Sequence, residues 1–148
     1  MKDVGIFVGS VYGNSQHVAE AVSSVLTSNG YSAKVFLDPN IATFSKVSNV
    51  LFITSTTGNG DIPPNLEFFI HDLEVQKIEI EHKPFAVVAL GDSSYGDSYC
   101  AAGKKIFSLL TELKGDAIAE ILEIDACETL EPEIEAVPWV KSIMAKFP

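Results

Sequence analysis

The chain has 148 residues, of which 47% are apolar, and this length and composition suit one globular domain with a buried core. Twenty acidic residues against ten basic ones give a formal charge of −10, which disfavours binding to nucleic-acid phosphates and anionic membrane surfaces. Only a short apolar run follows Lys2 and Asp3, and this fits neither a signal peptide nor a transmembrane span. Cys100 and Cys127 form no CxxC pair and are expected to be reduced thiols. We therefore expect a single cytoplasmic domain over residues 1–148.

Short β-rich runs alternate with helical patterns, and this alternation predicts parallel strands joined by crossover helices. In the first half of the chain we expect a strand over Val4–Gly9, a helix over Asn14–Ser28, and strands over Ser32–Leu37 and Asn49–Ser55. An Asp38-Pro39-Asn40 turn is expected to lead towards the third strand.

The second half repeats the same alternation. We expect a helix from about Pro63-Pro64, a strand over Phe85–Leu90, a helix over Ala101–Leu113, a strand over Ile118–Ile124, and a last helix with Val137, Val140, Met144 and Phe147 inward. Five strands and four helices predict an α/β fold, a doubly wound three-layer α/β/α arrangement whose common five-strand order is 2-1-3-4-5. In that order the ligand crevice lies at the carboxyl ends of strands one, three and four.

The three least ordinary loops follow those three strands. The first, GSVYGNS at residues 9–15, opens directly into a helix, and backbone amides with hydroxyls at a helix start suit a phosphate group. No lysine or arginine lies between Lys2 and Lys34, so this is not a Walker loop, and the spacing does not match GxGxxG. Taken alone, an ordinary strand-to-helix turn explains this loop equally well.

The other two loops suit a flat aromatic ligand. TSTTGNGD at residues 54–61 is polar and rich in glycine, so its backbone can approach a ligand closely. LGDSSYGDSYC at residues 90–100 places tyrosines where the chain leaves the sheet, and an exposed tyrosine can stack on an aromatic ring. Each loop alone is also compatible with a solvated connection, or with tyrosines that cover the end of the core.

Together, GSVYGNS, TSTTGNGDIPPN and LGDSSYGDSYC closely resemble the phosphate loop and the two flavin loops of the flavodoxins, and the likeness extends over nearly the whole chain. Without a long insertion around strand five, the sequence is similar to short-chain flavodoxins of the MioC-like branch. The resemblance implies a 2-1-3-4-5 sheet, non-covalently bound flavin mononucleotide (FMN), and electron transfer. Such a function requires no catalytic residue, because the cofactor carries the redox chemistry.

The resemblance also assigns residues to parts of the cofactor. Around the phosphate it places Ser10, Val11, Tyr12, Gly13, Asn14, Ser15 and Ser55. Along the inner flavin face it places Thr56, Thr57, Gly58 and Asn59, with Tyr95 stacked on the outer face. At the pyrimidine edge it places Gly91 and Asp92, followed by the segment of Tyr99 and Cys100, which is one residue longer than in many relatives.

Three details bear on affinity and redox behaviour. Thr57 stands where many flavodoxins have tryptophan, and the loss of a stack of about 0.5–1.5 kcal/mol should weaken FMN binding by up to about tenfold. By the family pattern, the peptide of Gly58 turns its carbonyl towards the flavin and favours the neutral semiquinone. Acidic residues near the flavin loops should disfavour the anionic hydroquinone; these are Asp61, Glu67, Asp92 and Asp97.

We expect a monomer, because the flavin edge must stay open to partners. The expected partners are an NADPH-dependent flavodoxin reductase and acceptor enzymes with basic docking faces. The alternative is an FMN-dependent NAD(P)H reductase of quinones or nitro compounds, for which the sequence offers no nicotinamide site. A binding protein without flavin also remains open. A phosphoacceptor domain is excluded because its required positions read Gly9-Ser10, Ser55 and Asp125-Ala126. The three histidines lack metal-ligand spacing, so no metal site is predicted.

Overall fold

Helices cover both faces of a parallel sheet in the computed structural model, which describes residues 2–78 and 80–148. The strands are β1 (Lys2–Gly9), β2 (Tyr31–Phe36), β3 (Asn49–Thr54), β4 (Pro84–Gly91), β5 (Asp116–Ala117) and β6 (Leu122–Asp125). The helices are α1 (Asn14–Ser28), α2 (Ile41–Lys46), α3 (Pro64–Gln76), α4 (Ala101–Glu112) and α5 (Glu133–Ile143), with 3₁₀ segments at Ser93–Ser98 and Met144–Lys146. None of the helices that the structure describes is long and apolar enough to cross a membrane.

The sheet has the order β2-β1-β3-β4, and both β5 and β6 pair with β4 at its far edge. This confirms the predicted 2-1-3-4-5 arrangement. Gly9, the last residue of β1, pairs with Thr54, the last residue of β3. The residue before Thr54, Ile53, pairs with Val88 near the end of β4. The strands β1, β3 and β4 therefore end close together. The loops that follow these strands therefore meet at one edge of the sheet.

The fifth strand differs from the prediction, because the chain over Ile118–Ile124 is not one continuous strand. Phe85 of β4 pairs with Ala117, and Val88 of β4 pairs with Leu122. The edge chain therefore has two more residues than β4 between these two pairs. Neighbouring side chains of a regular strand point to opposite faces, yet the adjacent residues 118 and 119 pack against the same core cluster. An irregular backbone permits this and divides the strand in two.

A short helix, α2, occupies the segment where the sequence predicted only a turn and a connection. Its N-cap is Asn40, whose side chain accepts a hydrogen bond from the Thr43 amide at 2.9 Å. Phe44 is fully buried against Phe7 and Phe69. Six residues span less than two turns, so no apolar periodicity could indicate this helix.

Two apolar clusters, one on each face, hold the layers together. One joins the sheet to α1 and α5, and the partly buried Trp139 packs against it. The other joins the sheet to α2, α3 and α4. Both clusters include side chains of β1, β3 and β4, so these three strands are buried on both faces.

Lys83 is predicted to stabilise the fold by anchoring α2. Its Nζ donates to the carbonyls of Phe44 at 3.0 Å and Val47 at 2.5 Å, and burial lowers the pKa of the half-buried side chain. A Lys83→Met variant should lose about 1–3 kcal/mol of unfolding free energy in urea denaturation, because two carbonyls lose a charged donor. The exposed Lys46 supplies the control, and Lys46→Met should change stability by less than about 0.5 kcal/mol. Equal losses in the two variants would contradict the anchoring role.

Candidate functional site

A cleft of about 770 Å³ opens where β1, β3 and β4 end. All three loops singled out in the sequence contribute to its walls. Ten of the residues assigned from the family pattern line it: Val11, Tyr12, Asn14, Ser55, Thr56, Thr57, Gly58, Gly91, Asp92 and Tyr95. The cleft thus lies where ligand sites of doubly wound sheets occur.

The first loop forms a cradle at the start of α1. Gly13 is the N-cap residue with φ of 87°, and no side chain within the described part of the chain caps this helix. The Gly13 amide donates to Ser10 Oγ at 2.9 Å, which closes the turn. Because the first amides of an α-helix lack intrahelical acceptors, the uncapped start of α1 leaves donors and the positive dipole end available to an anion.

Ser15 strengthens this interpretation. The residue is fully buried in the first turn of α1, and its Oγ has no hydrogen-bond partner among residues 2–78 and 80–148. A buried hydroxyl without a partner is costly, and an anion seated on the helix start would supply the missing acceptor. The cradle therefore fits a phosphate group bound by neutral donors.

Asn65 positions this cradle, a role that the sequence analysis did not assign. Its Oδ1 accepts from the Ser10 amide at 3.0 Å, and its Nδ2 donates to the carbonyls of Val8 at 2.6 Å and Leu37 at 2.9 Å. One side chain of α3 thereby joins the ends of β1 and β2. An amide directly after the Pro63-Pro64 pair was the available clue.

The second loop forms a tight turn from Thr57 to Asp61. The Thr57 amide donates to the Asp61 carbonyl at 2.9 Å, and the Asp61 amide donates back at 2.7 Å. Gly58 has φ of 51°, and a Cβ there would lie 2.9 Å from Asp61 Oδ2, so glycine suits the position. Gly58 lines the cleft, and both it and Asn59 are exposed.

The third loop is held by two carboxylates. Asp92 Oδ1 accepts from Cys127 Sγ at 3.0 Å and from the Ser94 amide at 2.9 Å, and these hydrogen bonds lower the pKa of Asp92. Asp125 Oδ1 accepts from the Ser93 amide at 3.0 Å and the Cys127 amide at 2.9 Å. Hydrogen bonds from Ser93 likewise lower the pKa of Asp125. The side chain of Asp92 thus organises its own loop.

The last two predicted contacts, Tyr99 and Cys100, do not line the cleft with their side chains. The buried Cys100 Sγ donates to the Ala89 carbonyl at 3.4 Å, and burial raises the pKa of the thiol to about 11. Lys104 Nζ lies 5.6 Å from the centre of the Tyr99 ring, and burial raises the pKa of the phenol. Tyr95, in contrast, is 70% exposed at the cleft.

A fourth wall, which the sequence analysis missed, follows β6. It consists of Ala126, Thr129, Leu130 and Pro132, together with Ile124 of β6. The Ala126 amide donates to the Gly91 carbonyl at 2.8 Å, which joins this segment to the end of β4. Its sequence, without a glycine or a tyrosine, gave no indication of a ligand; only its place after an edge strand could have suggested it.

Residues 6–139 match the family model described as Flavodoxin. The chain belongs to the flavodoxin family. It is 41% identical to Flavodoxin YqcA of Escherichia coli (strain K12) over 143 residues, which are 95% of each chain. It is 30% identical to Protein MioC of Escherichia coli O157:H7, with 96% of each chain covered. The resemblance drawn from the three loops is therefore confirmed, and the family's cofactor is FMN.

Two further comparisons concern structure and domain context. A cysteine-to-alanine variant of flavodoxin from Pseudomonas aeruginosa superposes with a TM-score of 0.92, at 33% identity and with 98% of both chains covered. The chain is also 34% identical to part of the NADPH sulfite reductase flavoprotein alpha-component of Bacillus subtilis (strain 168), where the match spans 23% of that protein. Flavodoxin architecture thus occurs both as a separate chain and within a larger flavoprotein.

Removal of the Asn65 amide should weaken cofactor binding by loosening the phosphate cradle. We expect Asn65→Ala to raise the Kd for FMN about tenfold or more, because the Ser10 amide and two carbonyls lose their partner. Quenching of FMN fluorescence measures this Kd. Asn29→Ala is the matched control, since Asn29 Nδ2 donates to the Val25 carbonyl at 2.7 Å at the opposite end of α1. If both variants bind FMN like the unsubstituted protein, Asn65 does not position the cradle.

Proposed function

We propose that this flavodoxin binds one FMN in the cleft and carries single electrons from an NADPH-dependent flavoprotein reductase to acceptor enzymes. The observation that carries the proposal is the lysine-free start of α1 beside a cleft lined by Tyr95 and Gly58. No described side chain caps this helix, and the Ser15 hydroxyl has no partner among the described residues. A phosphate site continuous with an aromatic-lined cleft matches the two chemically different ends of FMN. When bound, FMN supplies the one-electron chemistry.

The family pattern and the geometry together support a division of roles. For the phosphate we propose Ser10, Val11, Tyr12, Gly13, Asn14, Ser15 and Ser55. For the inner ring face we propose Thr56, Thr57, Gly58 and Asn59, and for the outer face Tyr95. For the pyrimidine edge we propose Gly91 and Asp92, with any contribution of Tyr99 and Cys100 made by backbone amides. Leu130 of the fourth wall is added to the residues beside the ring.

The electrostatic field of the chain suits basic partner proteins. The net charge is −10, and Asp61, Glu67 and Asp97 are exposed on or beside the flavin loops. Such a field speeds the association of a basic docking face, and salt weakens the effect by screening. The match to part of an NADPH sulfite reductase flavoprotein supports a reductase as the electron donor.

The mouth of the cleft is apolar as well as acidic. Leu130 is 95% exposed, Tyr12 is 92% exposed, and both line the cleft with Tyr95. Exposed large apolar side chains around a site favour contact with another protein. A partner protein that contacts these apolar side chains can exclude water from the mouth, and the surrounding acidic residues can orient that partner. Such an arrangement suits electron transfer between two proteins.

Anaerobic NADPH oxidation separates this carrier from a reductase of quinones or nitro compounds. The FMN-loaded protein mixed with NADPH alone should leave the 340 nm absorbance of NADPH unchanged. Addition of catalytic NADPH-dependent flavodoxin reductase should then bleach the flavin, at a rate that falls as salt rises, because attraction between the proteins is screened. The reductase without the flavodoxin is the control. Stoichiometric NADPH oxidation by the FMN-loaded protein alone would instead establish a reductase.

A further inference from the structure

The Thr57–Asp61 turn has a buried base and an exposed tip. Gly60 is buried, whereas Gly58 and Asn59 are exposed. The Gly60 and Asp61 amides both donate to the Thr57 carbonyl, at 3.1 and 2.7 Å. The base is therefore fixed by the protein, while the two tip residues face the cleft or solvent.

The first two turns of α4 hold this base from outside the loop. Lys105 Nζ donates to the Gly60 carbonyl at 2.6 Å. A Cβ on Gly60 would lie 3.0 Å from Ala101 Cβ, so the turn packs closely on the helix at that point. Ala101 and Lys105 are four residues apart and thus lie on one face of α4. The Ala102 amide donates to Thr56 Oγ1 at 3.2 Å, which ties the preceding residue of the loop to the same helix end.

The lysine contact is the strongest of these three. An ammonium donor makes a charge-assisted hydrogen bond, which is shorter and stronger than a neutral one. The acceptor belongs to a buried residue, so loss of the donor would leave a carbonyl without compensation. Lys105 therefore has more effect on the conformation of the turn than an exposed lysine normally has.

We propose that Lys105 is a positioning residue that fixes the base of the Thr57–Asp61 turn against α4 and so confines backbone reorientation to the Gly58–Asn59 tip beside the flavin. The proposal rests on the proposed function in one respect, which is that this turn meets the cofactor. The Thr57–Asp61 backbone hydrogen bonds close the turn, and the Lys105 contact holds its base against α4. The tip alone then adapts to the bound ring.

The chain offers a closely matched control. Lys105 lines a groove of about 720 Å³ together with three other lysines, Lys77, Lys104 and Lys114. Lys114 lies just beyond the C-terminal end of α4, whereas Lys105 lies near its start. Lys114→Met removes the same charge from the same groove without removing the Gly60 contact.

The test combines a measurement without FMN and one with it. In the FMN-free protein, Lys105→Met should speed hydrogen exchange of the Gly60 and Asp61 amides by about tenfold. In the FMN-loaded protein, the same variant should raise the FMN dissociation rate several-fold. Lys105→Arg keeps a charged donor and should return both quantities to within about twofold of the unsubstituted protein. Thermal melts of every variant establish that each is folded.

The proposal is overturned if Lys105→Met exchanges these amides no faster than Lys114→Met, or if Lys105→Arg fails to restore them. It is also overturned if the two methionine variants release FMN at the same rate. Since hydrogen exchange is measured on the FMN-free protein, it tests the role of Lys105 separately from the proposed FMN function. Failure of the unsubstituted protein to bind FMN would contradict that function without changing the exchange result.

Discussion

The close approach of β1 to β3 at their carboxyl ends is the constraint on which the site depends. A Cβ on Gly9 would overlap the Thr54 hydroxyl and would lie 2.9 Å from Leu66, so only glycine permits this approach. The Ser55 amide then donates to the Gly9 carbonyl at 3.0 Å, which prolongs the pairing just beyond the sheet. The phosphate cradle and the flavin turn consequently start side by side, and Asn65 reaches the cradle from the helix that follows the turn. A larger residue at position 9 would separate all three.

The second feature is a division of charge. The proposed phosphate site uses a helix start and hydroxyls, and the thirty-one residues between Lys2 and Lys34 include no lysine or arginine. A neutral site leaves the acidic surface uncompensated around the mouth, where it can attract a basic partner. Lys105 contacts the second flavin loop through the carbonyl of the buried Gly60, and it does not line the cleft. In this arrangement neutral donors at the start of α1 bind the cofactor, and acidic side chains around the mouth of the cleft attract the partner.

Much of this arrangement was predictable because it follows from strong local patterns. The alternation of apolar strands with amphipathic helices predicted the layered α/β fold. The sheet order came from the common five-strand form of that fold and from the family resemblance, and the strand ends predicted which loops would meet. What failed depended on contacts distant in sequence. The irregular edge at residues 118–121 follows from packing on both faces, and α2 follows from burial of Phe44 among other aromatic rings. Asn65 forms hydrogen bonds with Ser10 and Val8, which precede it in the sequence by 55 and 57 positions. No local pattern could assign its three hydrogen bonds. The wall after β6 carries neither glycine nor tyrosine, so only the fold reveals it.

The central claim is that the uncapped start of α1, without a lysine or arginine, binds the phosphate of FMN. Comparison of FMN with riboflavin, which lacks that phosphate, tests it most directly. Fluorescence titration of each flavin with the flavin-free protein should give a Kd for FMN at least about 100-fold lower, because two or more charge-assisted hydrogen bonds are lost with the phosphate. Addition of inorganic phosphate should weaken FMN binding by competition. Equal affinities for the two flavins would contradict the account.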